Sequence, residues 1–261
     1  MGMFASIGCG MWSLTPYDEC DFRCLYCCTK VQGTSKPAVA PAEFLVRLRQ
    51  HLDAAQWLDL VIVGAFCDAY PPVEERYGLT RQAIEELARR KRRFVICTKG
   101  TTVLRDLDLF REQRFRCQVY ISICSLDEQV LRRLDPGAPG AEERLATLWT
   151  LHDAGIDARV NLLPWIPGIT DTPALIARIP AQAEIVVGPL AVGVDRDSMS
   201  LLGKRYTREE IKELYMAEYR RYGHIANTSW VRPSPPSPGE NDPMYRLPIL
   251  ASPSAPPAAS R

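Results

Sequence analysis

The sequence predicts an α/β protein built on a parallel sheet that closes as a barrel or partial barrel. Two observations carry this: six short β-branched, apolar runs recur along the first 190 or so residues, and stretches with helical spacing of apolar residues separate them. Such alternation predicts βαβ units, in which consecutive parallel strands are joined by helices packed on the sheet. A third observation supports it, because the residues with chemical potential fall in the connections that leave the strands, where barrels of this kind place their chemistry.

The elements follow in order. Met11-Trp12-Ser13-Leu14-Thr15 reads as the first strand, and the stretch from Pro41 to Ala55 sets Phe44, Leu45, Leu48 and Leu52 on one helical face. Leu58 to Gly64 is a buried strand by its Leu-Val-Ile-Val run, and Leu79 to Arg92 returns to helix through Ile84, Leu87 and Ala88. Phe94 to Cys97 is the third strand and a helix follows around Leu104 to Glu112. Gln118 to Ile123 is the fourth strand, and a helix from Ala141 to Asp153 stops at Gly155, a residue suited to a helix C-terminus. Arg159 to Leu163 and Glu184 to Val187 are the last two strands, with a helical stretch from Ala174 to Ile179 between them. Thr207-Arg208-Glu209-Glu210 has the form of a capping box and opens an amphipathic helix that runs through Tyr215 and Tyr219 to Gly223. Nine prolines fall between Pro233 and Arg261, a density that no helix or strand survives. The organisation expected is therefore a core over 1–200, a packing helix over 201–232 and a disordered tail over 233–261.

Composition narrows the function classes. The chain has 261 residues, 32 basic and 31 acidic side chains and a net charge of +1, so no global field invites nucleic acid. Nine cysteines, clustered near one end and otherwise scattered on apolar runs, do not form a secreted disulfide framework and point to a reducing cytoplasm. No apolar run approaches the length of a membrane span. With only three histidines, a histidine-rich metallohydrolase is disfavoured.

The densest motif is Cys20-Asp21-Phe22-Arg23-Cys24-Leu25-Tyr26-Cys27, with Cys28 directly after. Three thiols spaced Cys-x3-Cys-x2-Cys fit within one short loop and supply three corners of a cubane iron–sulfur cluster, leaving one iron without a protein ligand. A zinc knot using Cys28 or Cys9 as fourth ligand is the alternative, although structural zinc sites more often use two separated ligand pairs.

The loop, with aromatic Tyr26 before the last cysteine, resembles the signature of the radical S-adenosylmethionine (SAM) superfamily. Further stretches are similar to the spore photoproduct lyase-like branch of that family. They are Gly64-Ala65-Phe66-Cys67-Asp68-Ala69-Tyr70-Pro71-Pro72-Val73-Glu74, Thr98-Lys99-Gly100, Leu134-Asp135-Pro136-Gly137-Ala138-Pro139 with Arg144-Leu145, and Leu163-Pro164-Trp165-Ile166-Pro167-Gly168-Ile169-Thr170-Asp171. The resemblance spans about Met11 to Asp171 and implies a partial (β/α)6 TIM-like barrel. It implies a [4Fe-4S] cluster held by Cys20, Cys24 and Cys27, and SAM as the second cofactor.

Around SAM, the resemblance implies Tyr26 of the cysteine signature among the cofactor-binding residues, Pro164 with Pro167 setting the loop after the fifth strand that lies beside the adenine, and the open backbone of Gly64 and Ala65 toward the ammonium. Lys99 either pairs with the SAM carboxylate or is an ordinary solvated lysine ending a strand, and Ser122 is a hydrogen-bond partner from the next strand. Asp68 either binds a ribose hydroxyl or caps the next turn, and Cys67 is either a hydrogen-atom donor to a product radical or a small buried apolar residue.

The expected activity is reductive cleavage of SAM to a 5′-deoxyadenosyl radical that abstracts hydrogen from a small organic substrate, fed by a flavodoxin- or ferredoxin-like electron donor. A DNA photoproduct lyase is the first alternative. Against it, Ala69 stands where the branch has proline, and no basic, aromatic DNA-gripping surface is evident. A non-enzymatic, zinc-stapled binding module is the second.

Overall fold

The fold is known from a computed structural model that describes residues 3–8, 11–27, 39–191 and 198–231. Cys9, Cys28 and the proline-rich stretch from 233 onward lie outside these residues. The strands are β1 (Phe4–Gly8), β2 (Met11–Leu14), β3 (Leu60–Val63), β4 (Arg93–Thr98), β5 (Cys117–Ser122), β6 (Ala158–Trp165), β7 (Ile185–Pro189), β8 (Ser198–Leu201), β9 (Lys204–Thr207) and β10 (Thr228–Trp230). The helices are α1 (Phe44–Ala54), α2 (Glu74–Tyr77), α3 (Leu79–Arg89), α4 (Leu107–Glu112), α5 (Glu128–Leu134), α6 (Ala141–Asp153), α7 (Thr172–Ile176) and α8 (Arg208–Tyr222).

Strands β2 to β7 lie side by side in sequence order and pair in parallel, with β1 added antiparallel at one edge and β10 parallel at the other. This curled eight-stranded sheet is a half-barrel, the partial barrel that the sequence predicts. All six expected parallel strands are present. Three additions were not legible: β1, the short β10, and a β8–β9 hairpin outside the main sheet. None carries an apolar pattern of its own, since each is defined by its pairing with a neighbouring strand.

Register divides the residues between two layers. Ile62 stands opposite Val95, Cys97 opposite Tyr120, and Ser122 opposite Asn161, so these side chains share the concave face. There Ile62, Val95, Tyr120 and Val186 pack with Met11 and Val231 into one apolar cluster. Their neighbours Val61, Val63, Phe94, Ile96, Val119, Ile121, Val160 and Leu162 point outward into the main core beneath the helices. Burial on both faces is why the strands read as continuous apolar runs rather than as alternation. Cys117 and Cys124 are buried, as a core reading expects, whereas Cys97 is half-buried and packs on the concave side.

Helix α6 has the predicted bounds, and α8 opens on Thr207, whose hydroxyl accepts from the Glu210 N–H at 3.1 Å. The tyrosines of α8 serve packing. Tyr215 is buried, with its hydroxyl 2.8 Å from the Val187 carbonyl and 2.9 Å from that of Val231, which ties the helix to β7 and to the residue after β10. The hairpin reaches the barrel rim, where the Tyr206 hydroxyl donates to the Pro167 carbonyl at 3.0 Å. Among the described residues no helix is long and apolar enough to cross a membrane.

Candidate active site

The predicted site residues gather at the C-terminal edge of the sheet because each follows or ends a different parallel strand. The cysteine loop follows β2, Gly64 to Asp68 follow β3, Lys99 follows β4, Ser122 ends β5 and Pro164 is the next-to-last residue of β6.

The cysteine loop is fixed from both sides. Below it, the buried Tyr17 donates its hydroxyl to Glu74, and the Leu79 N–H donates back to that hydroxyl at 3.2 Å. Glu74 also accepts from Thr80 N–H and from Arg105. Glu74, the last residue of the motif after β3, is thus a wholly buried scaffold group. Tyr70 of the same motif donates to the buried Asp106 at 2.8 Å, and Asp106 takes Arg81 and Arg105 as ion-pair partners.

Asp68 is held in the same way. Its Oδ1 accepts from the Tyr70 N–H at 2.9 Å and from the Thr98 hydroxyl, and its Oδ2 accepts from the Lys99 N–H at 2.8 Å. Through these bonds Asp68 holds the turn that presents Lys99. Burial pushes its carboxyl up, and Lys99 opposes that shift.

Gly64 has a similar outcome. Its φ is +94°, and a Cβ built on it would stand 2.4 Å from the Cys97 carbonyl oxygen and 2.8 Å from the Ala69 nitrogen. Glycine is required there because β4 and the returning loop press against it. The space that a side chain would fill is occupied by backbone. Ala65, next along, is exposed at the rim.

Cys20, Cys24 and Cys27 are each half-buried, and the Cys27 N–H donates to the Cys24 carbonyl at 3.3 Å. Cys67 lies beneath them, donating to the Glu19 carbonyl at 2.9 Å and contacting the Cys20 thiol. That contact brings Cys20 down to about 7 and pushes Cys67 up. Burial pushes Cys24 up, against the pull of the Lys99 ammonium. Lys99 sits with its Nζ 5.6 Å from the centre of the Tyr26 ring, within cation–π range. Burial works against its charge, but the Asp135 and Asp68 carboxylates hold it protonated.

The donor set is sulfur only, which is the chemistry an iron–sulfur cluster takes. Among the described residues no three Cys, His, Asp or Glu side chains converge as ligands of one metal ion. A cubane does not ask for that convergence, since its three cysteines bind three different irons. The residues therefore fit the cluster.

A family model described as the radical SAM superfamily matches residues 14–177. The chain belongs to that superfamily. The match begins on the last residue of β2 and ends just after α7, so it takes in strands β3 to β6 and every predicted site residue, while β1, β7 and β10 lie outside it.

Curated relatives include an uncharacterized protein of Mycobacterium tuberculosis, 29% identical over 174 residues, covering 62% of this chain and 51% of the relative. An uncharacterized protein of Methanocaldococcus jannaschii is 27% identical over 171 residues, covering 62% of this chain and 63% of that protein. The match takes in between about half and somewhat under two thirds of these relatives' length.

Among solved structures, a spore photoproduct lyase variant superposes with a TM-score of 0.61 at 16% identity, covering 88% of this chain and 79% of that one. Streptococcus suis SuiB bound to S-adenosylmethionine gives 0.57 at 14% identity, covering 84% and 46%. At such identities these likenesses establish the radical SAM fold. The family implies SAM and an iron–sulfur cluster as cofactors.

Several residues near the site carried no signal of their own. Asn161 reads as one more strand position, but it stands opposite Ser122 and donates from Nδ2 to the Ser122 hydroxyl at 3.2 Å. Cys124 lies 3.8 Å from the Tyr26 hydroxyl. Thr170 donates to the Cys124 carbonyl at 2.8 Å and accepts from the Ile166 N–H, tying the loop after β6 to β5. A polar residue inside an apolar strand was the available clue for Asn161.

Proposed function

We propose that the protein is a radical SAM enzyme that reductively cleaves S-adenosylmethionine at a [4Fe-4S] cluster and uses the radical on a small organic substrate. The observation that carries this reading is the meeting of the three-cysteine loop and the half-buried Lys99 at one mouth of the half-barrel.

When bound, the cluster and SAM supply an electron and a 5′-deoxyadenosyl radical able to abstract hydrogen. The chain's residues do the rest. Cys20, Cys24 and Cys27 hold three irons. Lys99, presented by the Asp68-held turn and kept protonated by its neighbours, pairs with the SAM carboxylate. Ser122 and Asn161 offer hydrogen bonds from adjacent strands. Gly64 and Ala65 at the rim, Tyr26 and Pro164 complete the SAM surround. Cys67 is small, buried and beside the cluster ligands, a place from which to return a hydrogen atom to a product radical. The electron comes from a flavodoxin- or ferredoxin-like donor.

The reading is tested by anaerobic reconstitution with iron and sulfide, reduction with dithionite, and chromatography for 5′-deoxyadenosine. Wild-type protein turns brown and yields it; Cys20→Ala does neither. A colourless preparation with one tightly held zinc overturns the reading. Strong, salt-dependent affinity for duplex DNA would redirect the substrate toward a DNA photoproduct.

A further inference from the structure

The turn Leu134-Asp135-Pro136-Gly137, at the end of α5, is pressed against the cysteine loop. The Leu25 N–H donates to the Leu134 carbonyl at 2.8 Å, and the Gly137 N–H donates to the Phe22 carbonyl at 3.2 Å. The approach is close enough that a Cβ on Gly137 would stand 2.3 Å from the Asp21 carbonyl oxygen.

Within this turn sits an ion pair sealed from water. The side chains of Asp135 and Arg144 are both 0% exposed and meet at 2.9 Å. The same Arg144 Nη1 donates to the Ser122 carbonyl at 3.0 Å, and its Nε donates to the Pro139 carbonyl at 2.7 Å. Arg144 Nη2 is buried without a hydrogen-bond partner, and the Asp135 carboxylate also lies against the Tyr26 hydroxyl and the Cys24 thiol. A sealed pair of charges contributes little net stability, because desolvation offsets the attraction, and an orphaned atom makes the balance worse. Stability is thus a poor account of why charges stand here.

The surroundings offer a better one. The Asp135 carboxylate acts on the Cys24 thiol, the Tyr26 hydroxyl and the Lys99 ammonium, while Arg144 opposes Lys99. Asp135 therefore neighbours a cluster ligand on one side and the cation of the site on the other.

We propose that Asp135, fixed by Arg144, is a positioning residue that sets the potential at which the cluster accepts its electron. The inference rests on the reading that Cys20, Cys24 and Cys27 hold an iron–sulfur cluster. Its physical basis is that an added electron is disfavoured by a nearby negative charge and favoured by a positive one, and neither charge here is screened by water. Removing Asp135 leaves Arg144 and Lys99 unbalanced, whereas removing Arg144 leaves Asp135 less compensated.

The test uses the full chain, reconstituted anaerobically as wild type, Asp135→Asn, Asp135→Glu and Arg144→Gln. Iron and sulfide content, circular dichroism and a redox titration followed by electron paramagnetic resonance are measured for each. The midpoint potential is expected to rise in Asp135→Asn, to fall in Arg144→Gln, and to return toward wild type in Asp135→Glu. A scaffold role would not produce opposite signs. The inference is overturned if the two charge-removing variants shift in the same direction, match wild type, or simply lose iron or fold in equal measure. If wild-type protein itself takes up no iron–sulfur cluster, it is the underlying reading that falls.

Discussion

Replacing Gly64 with alanine tests how the half-barrel makes room for its site. The substitution imposes two costs. A side chain at φ +94° is in a left-handed conformation, which costs about 1–2 kcal/mol. The new Cβ would also stand 2.4 Å from the Cys97 carbonyl oxygen, 2.8 Å from the Ala69 nitrogen and 2.9 Å from the Ala69 Cβ. None of these is the end of a flexible side chain, so backbone must move, at an overpacking cost of about 1–3 kcal/mol. Together the loss is about 2–5 kcal/mol, which for a chain of this size lowers the melting temperature by roughly 4–20 °C.

Gly78→Ala is the control, since Gly78 has φ +59° and nothing within 4 Å of a Cβ. It carries only the conformational cost, about 1–2 kcal/mol. Differential scanning calorimetry on both variants separates the two costs. The shift at Gly64 also displaces Ala69 and Cys97, neighbours of Asp68 and of the Lys99 turn, so SAM affinity should fall in Gly64→Ala alone. If the two variants melt together and bind SAM alike, the close approach of β4 is not what demands glycine at this position.

Two further outcomes follow from the site and a third from the helix layer. Lys99→Met should keep its cluster but bind SAM roughly 10- to 100-fold more weakly, the loss of about 1.5–3 kcal/mol for a charged hydrogen bond; calorimetric titration giving an unchanged Kd would remove Lys99 from the carboxylate. Cys67→Ala should retain iron and SAM cleavage while altering the partition among products, and an identical product profile would return Cys67 to a packing role.

The third concerns acid. Burial alone would push the Glu86 carboxyl up, but Arg49, Arg90 and Arg89 outweigh it and hold the carboxyl below the usual range. A folded value below the unfolded one stabilises the protein above about pH 4.3, and that contribution is lost as pH falls through the folded value. Urea denaturation of wild type against Glu86→Gln should therefore show a stability gap that shrinks on acidification; a gap constant from neutral pH to about pH 3 contradicts the assignment.

What could be read from the sequence was whatever acts over short chain distances. The β-branched runs announced six strands because both faces of a parallel sheet are buried. The Cys-x3-Cys-x2-Cys spacing announced a sulfur donor set because one loop carries all of it. The capping box at Thr207 and the glycine stop after Asp153 bounded two helices because caps are local. The short strands β1 and β10 and the β8–β9 hairpin were invisible, since they are defined by pairing with partners rather than by any pattern of their own.

The roles of individual polar residues needed the tertiary structure. Asp68, Tyr70 and Glu74 look alike as motif residues, and only their distant partners Thr98, Lys99, Asp106 and Arg105 show that they brace the site from beneath. Gly64 reads as a residue that leaves backbone open, and the fold adds that the place of a side chain there is taken by the Cys97 carbonyl. Asp135 and Arg144, nine positions apart in sequence, gain their meaning from burial against a loop more than a hundred residues earlier. Spacing along a chain records which groups travel together, whereas the charge a cysteine loop experiences depends on which side chains the fold seals in beside it.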